Sequence, residues 1–222
     1  IGSKVHTWEE HENPFELLIQ VLKKEGFKQG TIAIEEQTRF FISDGIKKAG
    51  KGFKLVSGDP ITIPCRLIKS KNEIALMQKA NDITAIAIQY GLTFLSEGIN
   101  PATISQKIAA KHAELGGQHR FASVTFGVAS SFPHGSSQKQ ILKKGDIVML
   151  DCGCSVGGYE SDITRTIVFG PATEKQIEIW ELEKRAQAAG FAAAKLGEPC
   201  ENVDFAARKV IIDAGYGPGY KL

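Results

Sequence analysis

Between Lys144 and Gly170 the chain reads KGDIVMLDCGCSVGGYESDITRTIVFG, and this stretch leaves little choice of local fold. Two β-rich runs, Asp146 to Ser155 and Tyr159 to Phe169, flank Val156-Gly157-Gly158. Gly-Gly supplies the positive φ angles that a two-residue hairpin turn requires. With Gly157 and Gly158 at the turn, residues whose numbers sum to 315 lie opposite each other, so Asp151 faces Thr164 and Asp162 is its diagonal neighbour. With Val156 and Gly157 at the turn the sum is 313, and Asp151 faces Asp162 directly. Either register sets both carboxylates on one face of the sheet.

Opposed side chains on such a pair stand about 5 Å apart at Cβ and diagonal ones roughly 7 Å, so two ionised carboxylates repel and at least one pKa rises. A divalent cation relieves that repulsion and activates water. Two aspartates on a hairpin can also simply face solvent, but the apolar run Ile147 to Leu150 predicts a partly buried sheet rather than a solvated ribbon. Just upstream, Phe132-Pro133-His134-Gly135 places a histidine on a restricted backbone, where it can serve a sheet-bound site as a donor or proton shuttle, or be an ordinary surface residue. Cys152 and Cys154 share the face opposite Asp151 and, without further Cys or His ligands, are expected to pack rather than bind zinc.

Composition narrows the class. The 222 residues are 42% hydrophobic, enough for one sizeable core and a second small one, and 27 Lys and Arg against 25 Asp and Glu give a formal charge of +2. That balance offers no support for a nucleic-acid partner. No apolar run approaches the roughly 18 residues needed to cross a bilayer, so no membrane association is expected. Four cysteines are too sparse for a disulfide framework and predict a reducing, cytoplasmic setting.

Along the chain, Asn13-Pro14-Phe15-Glu16 opens a helix ending at Gly26, and Thr31–Glu35, Ser43–Lys48 and Phe53–Val56 continue an alternating β/α texture. The Pro-containing run Ser57 to Pro64 reads as a linker. Long helices follow: one from the capping box Ser70-Lys71-Asn72-Glu73 to about Ser96, with Ile74, Met77, Ala80, Ala87, Ile88 and Leu95 on one face, and another from Asn100-Pro101 to Gly116-Gly117. Phe121 to Val128 is strand-like. After the hairpin, Thr173-Glu174-Lys175-Gln176 caps a helix to Gly197, and a last helix spans Asn202 to Ala214. The fold class is mixed α/β, with residues 1–62 the end of one α/β domain and 63–222 a second unit.

Taken as an ordered set, CRLIKSKNEIALMQKA from Cys65 to Ala80, FPHG at Phe132 to Gly135, LDCG at Leu150 to Gly153 and YESDITRT at Tyr159 to Thr166 resemble the pita-bread metallopeptidases of the Xaa-Pro dipeptidase (prolidase) and aminopeptidase P type. The resemblance covers nearly the whole chain. It implies that 63–222 is the first half of a pita-bread catalytic domain and that 1–62 ends a creatinase/prolidase-type N-terminal domain. It further implies Asp151 and Asp162 as metal ligands, Asp162 bridging two divalent ions, and His134 as the catalytic residue that contacts the scissile carbonyl. The implied reaction is hydrolysis of the bond before proline by a metal-activated hydroxide, with manganese the favoured metal and cobalt or zinc as alternatives.

In relatives of this type the remaining His and both Glu ligands lie beyond the position of Leu222. The resemblance therefore implies that this chain supplies only part of the site and is inactive alone. Its implied partners are a proline-containing peptide, a second copy in a homodimer, and the missing C-terminal half of the catalytic domain. A chain with one half of the fold is expected to expose an apolar sheet edge and helix face. A creatinase-like or non-catalytic member of the same fold is the alternative, and the retained Asp pair counts against it.

Overall fold

The computed structural model describes residues 4–132 and 135–217. The chain forms two compact units, Ile1–Ser70 and Lys71–Leu222.

In the first unit, α1 (Pro14–Lys24), β1 (Gly30–Ile34), α2 (Phe40–Ala49), β2 (Phe53–Ser57) and α3 (Asp59–Leu67) alternate, and β1 pairs in parallel with β2, Gly30 beside Phe53. Asn13 caps α1 by accepting from the backbone N–H of Phe15 and Glu16, at 3.0 and 3.4 Å. Glu16 does not close a capping box; it accepts instead from the Asn13 side-chain amide at 3.3 Å. Helix α1 seats Phe15 against Gly45, where a Cβ would overlap the ring, and buries Ile19 beside Gly50. Close approach of the two helices is what glycine at 45 permits. The stretch expected as a linker is instead the end of β2 and helix α3. Pro60 sits in the first turn, where the missing N–H costs nothing, and Asp59 accepts from the Glu36 N–H at 3.0 Å. The expected boundary after residue 62 thus falls inside α3.

The second unit contains α4 (Lys71–Leu92), α5 (Pro101–Glu114), β3 (Gln118–Phe126), a 3₁₀ turn (Gly127–Ser131), β4 (Ile147–Val156), β5 (Tyr159–Glu160), β6 (Ile163–Val168), α6 (Glu174–Ala193) and α7 (Glu201–Ile211). Strand β4 is central, antiparallel to β3 on one side and to β5 and β6 on the other. One face of this sheet is the core: Val148, Leu150, Cys152 and Cys154 of β4 and Val124 and Phe126 of β3 are buried, as are Ile88 of α4 and Ile104 and Ile108 of α5. In α4 the inward stripe is Ala80, Ile83, Thr84, Ala87, Ile88 and Gly91, spaced as a 3.6-residue period demands. Ile74, expected on that stripe, is 56% exposed. Gly91 lets α5 approach so closely that a Cβ would meet Ile108 at 2.7 Å.

Thr173 and Gln176 form the expected capping box of α6, each bonding the other's backbone N–H at 3.2 and 2.8 Å. Helices α6 and α7 pack as a hairpin over Leu182, Ala186 and Gly190. Their other surface is apolar and open: Trp180, Phe205 and Ile212 are exposed and Phe191 is 81% exposed, beside a groove of about 720 Å³ between the two helices. No helix among the described residues is long and apolar enough to cross a membrane.

Candidate metal centre

Ser155 pairs with Glu160 and Val156 with Tyr159, so Gly157 and Gly158 make the turn, with φ of +57° and +85°. The paired numbers sum to 315 along the whole of β4, and Asp151 pairs with Thr164. Of the two turn placements open at the level of sequence, the structure adopts the one with both glycines at the corner. The core-facing residues of β4 are the even-numbered ones from Val148 to Cys154, so Asp151 stands on the opposite, half-open face.

Asp162 is the diagonal neighbour of Asp151, at a break in the strand expected to run unbroken from Tyr159 to Phe169: β5 ends at Glu160 and β6 begins at Ile163. The two carboxyl groups are close enough to interact. Partial desolvation, then the charge of Asp151 and the hydrogen bond to it, raises the pKa of Asp162 above the usual carboxylate value. A cation between the two carboxyl groups relieves that penalty on ionisation. Thr164, which the register sets opposite Asp151, donates its hydroxyl to Asp151 Oδ1 at 2.8 Å. Only one of the two registers open at the level of sequence set Thr164 there, and neither assigned it a role.

The donor type, carboxylate oxygen, suits a hard divalent cation. The pair is incomplete as a coordination sphere. Among the described residues, no group of three or more His, Cys, Asp or Glu is placed to hold a metal. His134 lies outside the described residues. Cys152 and Cys154 are buried in the core and face away from the pair, as expected of packing residues; burial, and secondarily the charge of Asp151, pushes the Cys152 thiol up to about 12.

Behind the pair, on the helix face of the sheet, lies a buried polar cluster that the sequence did not reveal. Thr84 Oγ1 is 2.7 Å from Ser161 Oγ, 3.3 Å from His112 Nε2 and 3.4 Å from Cys154 Sγ. His112 Nδ1 is 2.9 Å from His119 Nδ1. A one-residue bulge in β3 at Arg120 puts His119 on the face of Cys154, and Phe121 on that of Gly153. At the hairpin corner, Tyr159 donates to Glu73 of α4 at 2.6 Å.

Comparison with known proteins identifies the family. Residues 75–221 match metallopeptidase family M24. The chain is 32% identical over 208 residues to the Xaa-Pro dipeptidase of Pyrococcus furiosus, covering 91% of this chain and 58% of that protein. It is 35% identical over 198 residues to the Xaa-Pro dipeptidase of Pyrococcus horikoshii, covering 87% and 55%. The crystal structure of a dipeptidase from Pyrococcus horikoshii OT3 superposes with a TM-score of 0.84 at 33% identity, over 96% of this chain and 60% of that one. The chain thus spans less than two thirds of the length of these relatives. Asp151, Asp162 and the hairpin that presents them all fall within the matched stretch, and the chain belongs to metallopeptidase family M24.

Proposed function

We propose that this chain is part of a proline-specific metallo-exopeptidase of the Xaa-Pro dipeptidase or aminopeptidase kind, and that Asp151 and Asp162 are two of its metal ligands. The observation that carries the reading is the carboxyl pair itself: two interacting acids brought together at the β4–β6 pairing, on the half-open face of a sheet, within a stretch matching family M24. Bound ions, manganese first among the candidates, supply Lewis acidity and lower the pKa of water. Asp162 and Asp151, the latter oriented by Thr164, would be among the residues that hold them. His134 contacts the scissile carbonyl and steadies the charge that develops on it.

The remaining ligands come from outside these 222 residues. Supporting this are the fraction of the relatives' length that the chain spans and the open apolar surface of α6 and α7, which a second half of a pita-bread catalytic domain would cover. The substrate class is a peptide with proline after the scissile bond, and the working form is a homodimer.

The test is hydrolysis of Xaa-Pro dipeptides against matched Xaa-Ala dipeptides by the intact protein, with Mn²⁺ and after chelation. Proline-selective, metal-dependent cleavage that Asp162→Ala abolishes is the expected result. Equal activity of Asp162→Ala, or activity that survives chelation, would overturn the reading.

A further inference from the structure

Ser161 and Cys154 are opposed in the 315 register, and a regular antiparallel ladder would join such a pair by two backbone bonds. One is made: the Ser161 N–H donates to the Cys154 carbonyl at 2.9 Å. The other is not. The Cys154 N–H donates at 3.0 Å to the Ser161 hydroxyl oxygen, which stands in for the Ser161 carbonyl. That carbonyl has turned onto the face of the Asp pair, where it occupies the place a Cβ on Gly153 would take, next to the Phe121 ring. The rotated peptide is the one joining Ser161 to Asp162. The interruption between β5 and β6 is therefore a side-chain-for-backbone exchange, with glycine at 153 providing the space.

An exchange of this kind persists only where the hydroxyl is held. Ser161 is buried, and its Oγ is 2.7 Å from Thr84 Oγ1, itself wholly buried on α4. Thr84 is in turn backed by His112 Nε2 on α5. The anchor reaches Ser161 from 77 residues away, so it ties the strand break to the helix layer. Polar groups buried this completely hold one geometry when all are paired and destabilise the fold when one is lost.

We infer that Ser161, held by Thr84, is a positioning residue for Asp162: by replacing its own carbonyl in the ladder it rotates the 161–162 peptide and sets the Asp162 carboxyl beside Asp151. This rests on the reading of Asp151 and Asp162 as cation ligands. Residues that orient a ligand typically change metal affinity by about 10- to 100-fold when removed. Ser161→Ala in the intact protein should therefore lower Mn²⁺ affinity, measured by titration followed by electron paramagnetic resonance, by about tenfold or more. Ser161→Thr, which keeps the hydroxyl, should restore it. Thr84→Val should weaken binding in the same direction and serves if Ser161→Ala does not fold. A role confined to stability would lower the melting temperature of these variants without changing Mn²⁺ affinity, and that result would overturn the inference.

A second readout does not depend on metal. In the wild-type protein the scalar coupling across a hydrogen bond between Cys154 ¹⁵N and Ser161 carbonyl ¹³C should be absent, and in Ser161→Ala it should appear as the ladder closes. Its presence in the wild type would overturn the exchange. If the wild type shows no such coupling and also fails to saturate with Mn²⁺, the cation reading fails while the exchange stands.

Discussion

The hydroxyl of Thr164 donates to Oδ1 of Asp151 at 2.8 Å, joining β6 to β4 on the half-open face of the sheet. The bond ties the side-chain torsion of Asp151 to the neighbouring strand, so the carboxylate is already oriented before anything binds it. The geometry follows from register alone. A turn with both glycines at its corner makes 151 and 164 partners, and a slip by one residue would send Thr164 to the other face.

Thr164→Val keeps the shape and removes the donor. Because the residue is exposed, the expected change in unfolding free energy is within about 1 kcal/mol. Mn²⁺ affinity should fall by about tenfold, as for other groups that orient a ligand. Isothermal titration of the intact variant beside the wild type measures the affinity, and urea unfolding measures the stability. Unchanged affinity would remove Thr164 from the site.

The raised pKa of Asp162 links cation binding to pH. A carboxyl whose folded-state pKa is raised keeps a proton that the unfolded chain releases. In metal-free protein its stabilising contribution is present in acid and lost as pH rises from about 4, the unfolded value, through the folded one. Asp162→Asn carries no charge at any pH. Its melting temperature in EDTA should therefore gain on the wild type as pH is raised from 4 to 7. Over the same range Mn²⁺ affinity of the wild type should rise, since protons and cation compete for one group. A gap between variant and wild type that does not vary with pH would show that the fold does not raise Asp162.

The hairpin, the shared face of Asp151 and Asp162 and the Thr173 capping box were legible because each depends on residues a few positions apart, with turn chemistry or helix geometry to connect them; which of two turn placements the hairpin takes, and so the pairing of Asp151 with Thr164, was not. The strand break at Ser161 was not legible. Tyr159 to Phe169 has uniform β character, and the hydroxyl that interrupts it is held by Thr84, a residue remote in sequence. His119 was hidden for a related reason: alternation would put it on the face of Phe121, and only the bulge at Arg120 turns it toward His112. Asp59-Pro60 was misread because proline serves equally in a linker and in a first helical turn. Ile74 was assigned to the buried stripe by periodicity, but the inward face of α4 begins at Ala80. The Asp pair itself was legible from the hairpin, whereas the support behind it was not.

Burial, and secondarily the neighbouring His119, pushes His112 down to about 4. A base with a depressed folded-state pKa refuses a proton that the unfolded chain accepts. Its contribution to stability is present above 6.5 and is lost as pH falls from there through about 4. The loss should reach on the order of 2 to 3 kcal/mol, since His112 is wholly buried. Urea unfolding at pH 7 and pH 4.5 measures it. His112→Gln, which carries no titrating ring, should flatten the dependence, and an equally steep profile in that variant would assign the effect to other groups.

Gly153 and Gly158 separate crowding from backbone strain. A Cβ on Gly153 would overlap the Ser161 carbonyl and the Phe121 ring, so Gly153→Ala must displace the backbone that leads into Asp162. Overpacking of this kind costs about 1 to 3 kcal/mol. A Cβ on Gly158 meets nothing within 4 Å, and the only penalty there is the φ of +85°, roughly 1 to 2 kcal/mol. The two variants should thus lose similar stability but differ in Mn²⁺ affinity: Gly153→Ala should bind about tenfold more weakly, and Gly158→Ala as the wild type does. Equal Mn²⁺ affinity in the two would mean that the place of the Ser161 carbonyl over Gly153 has no bearing on how Asp162 is presented.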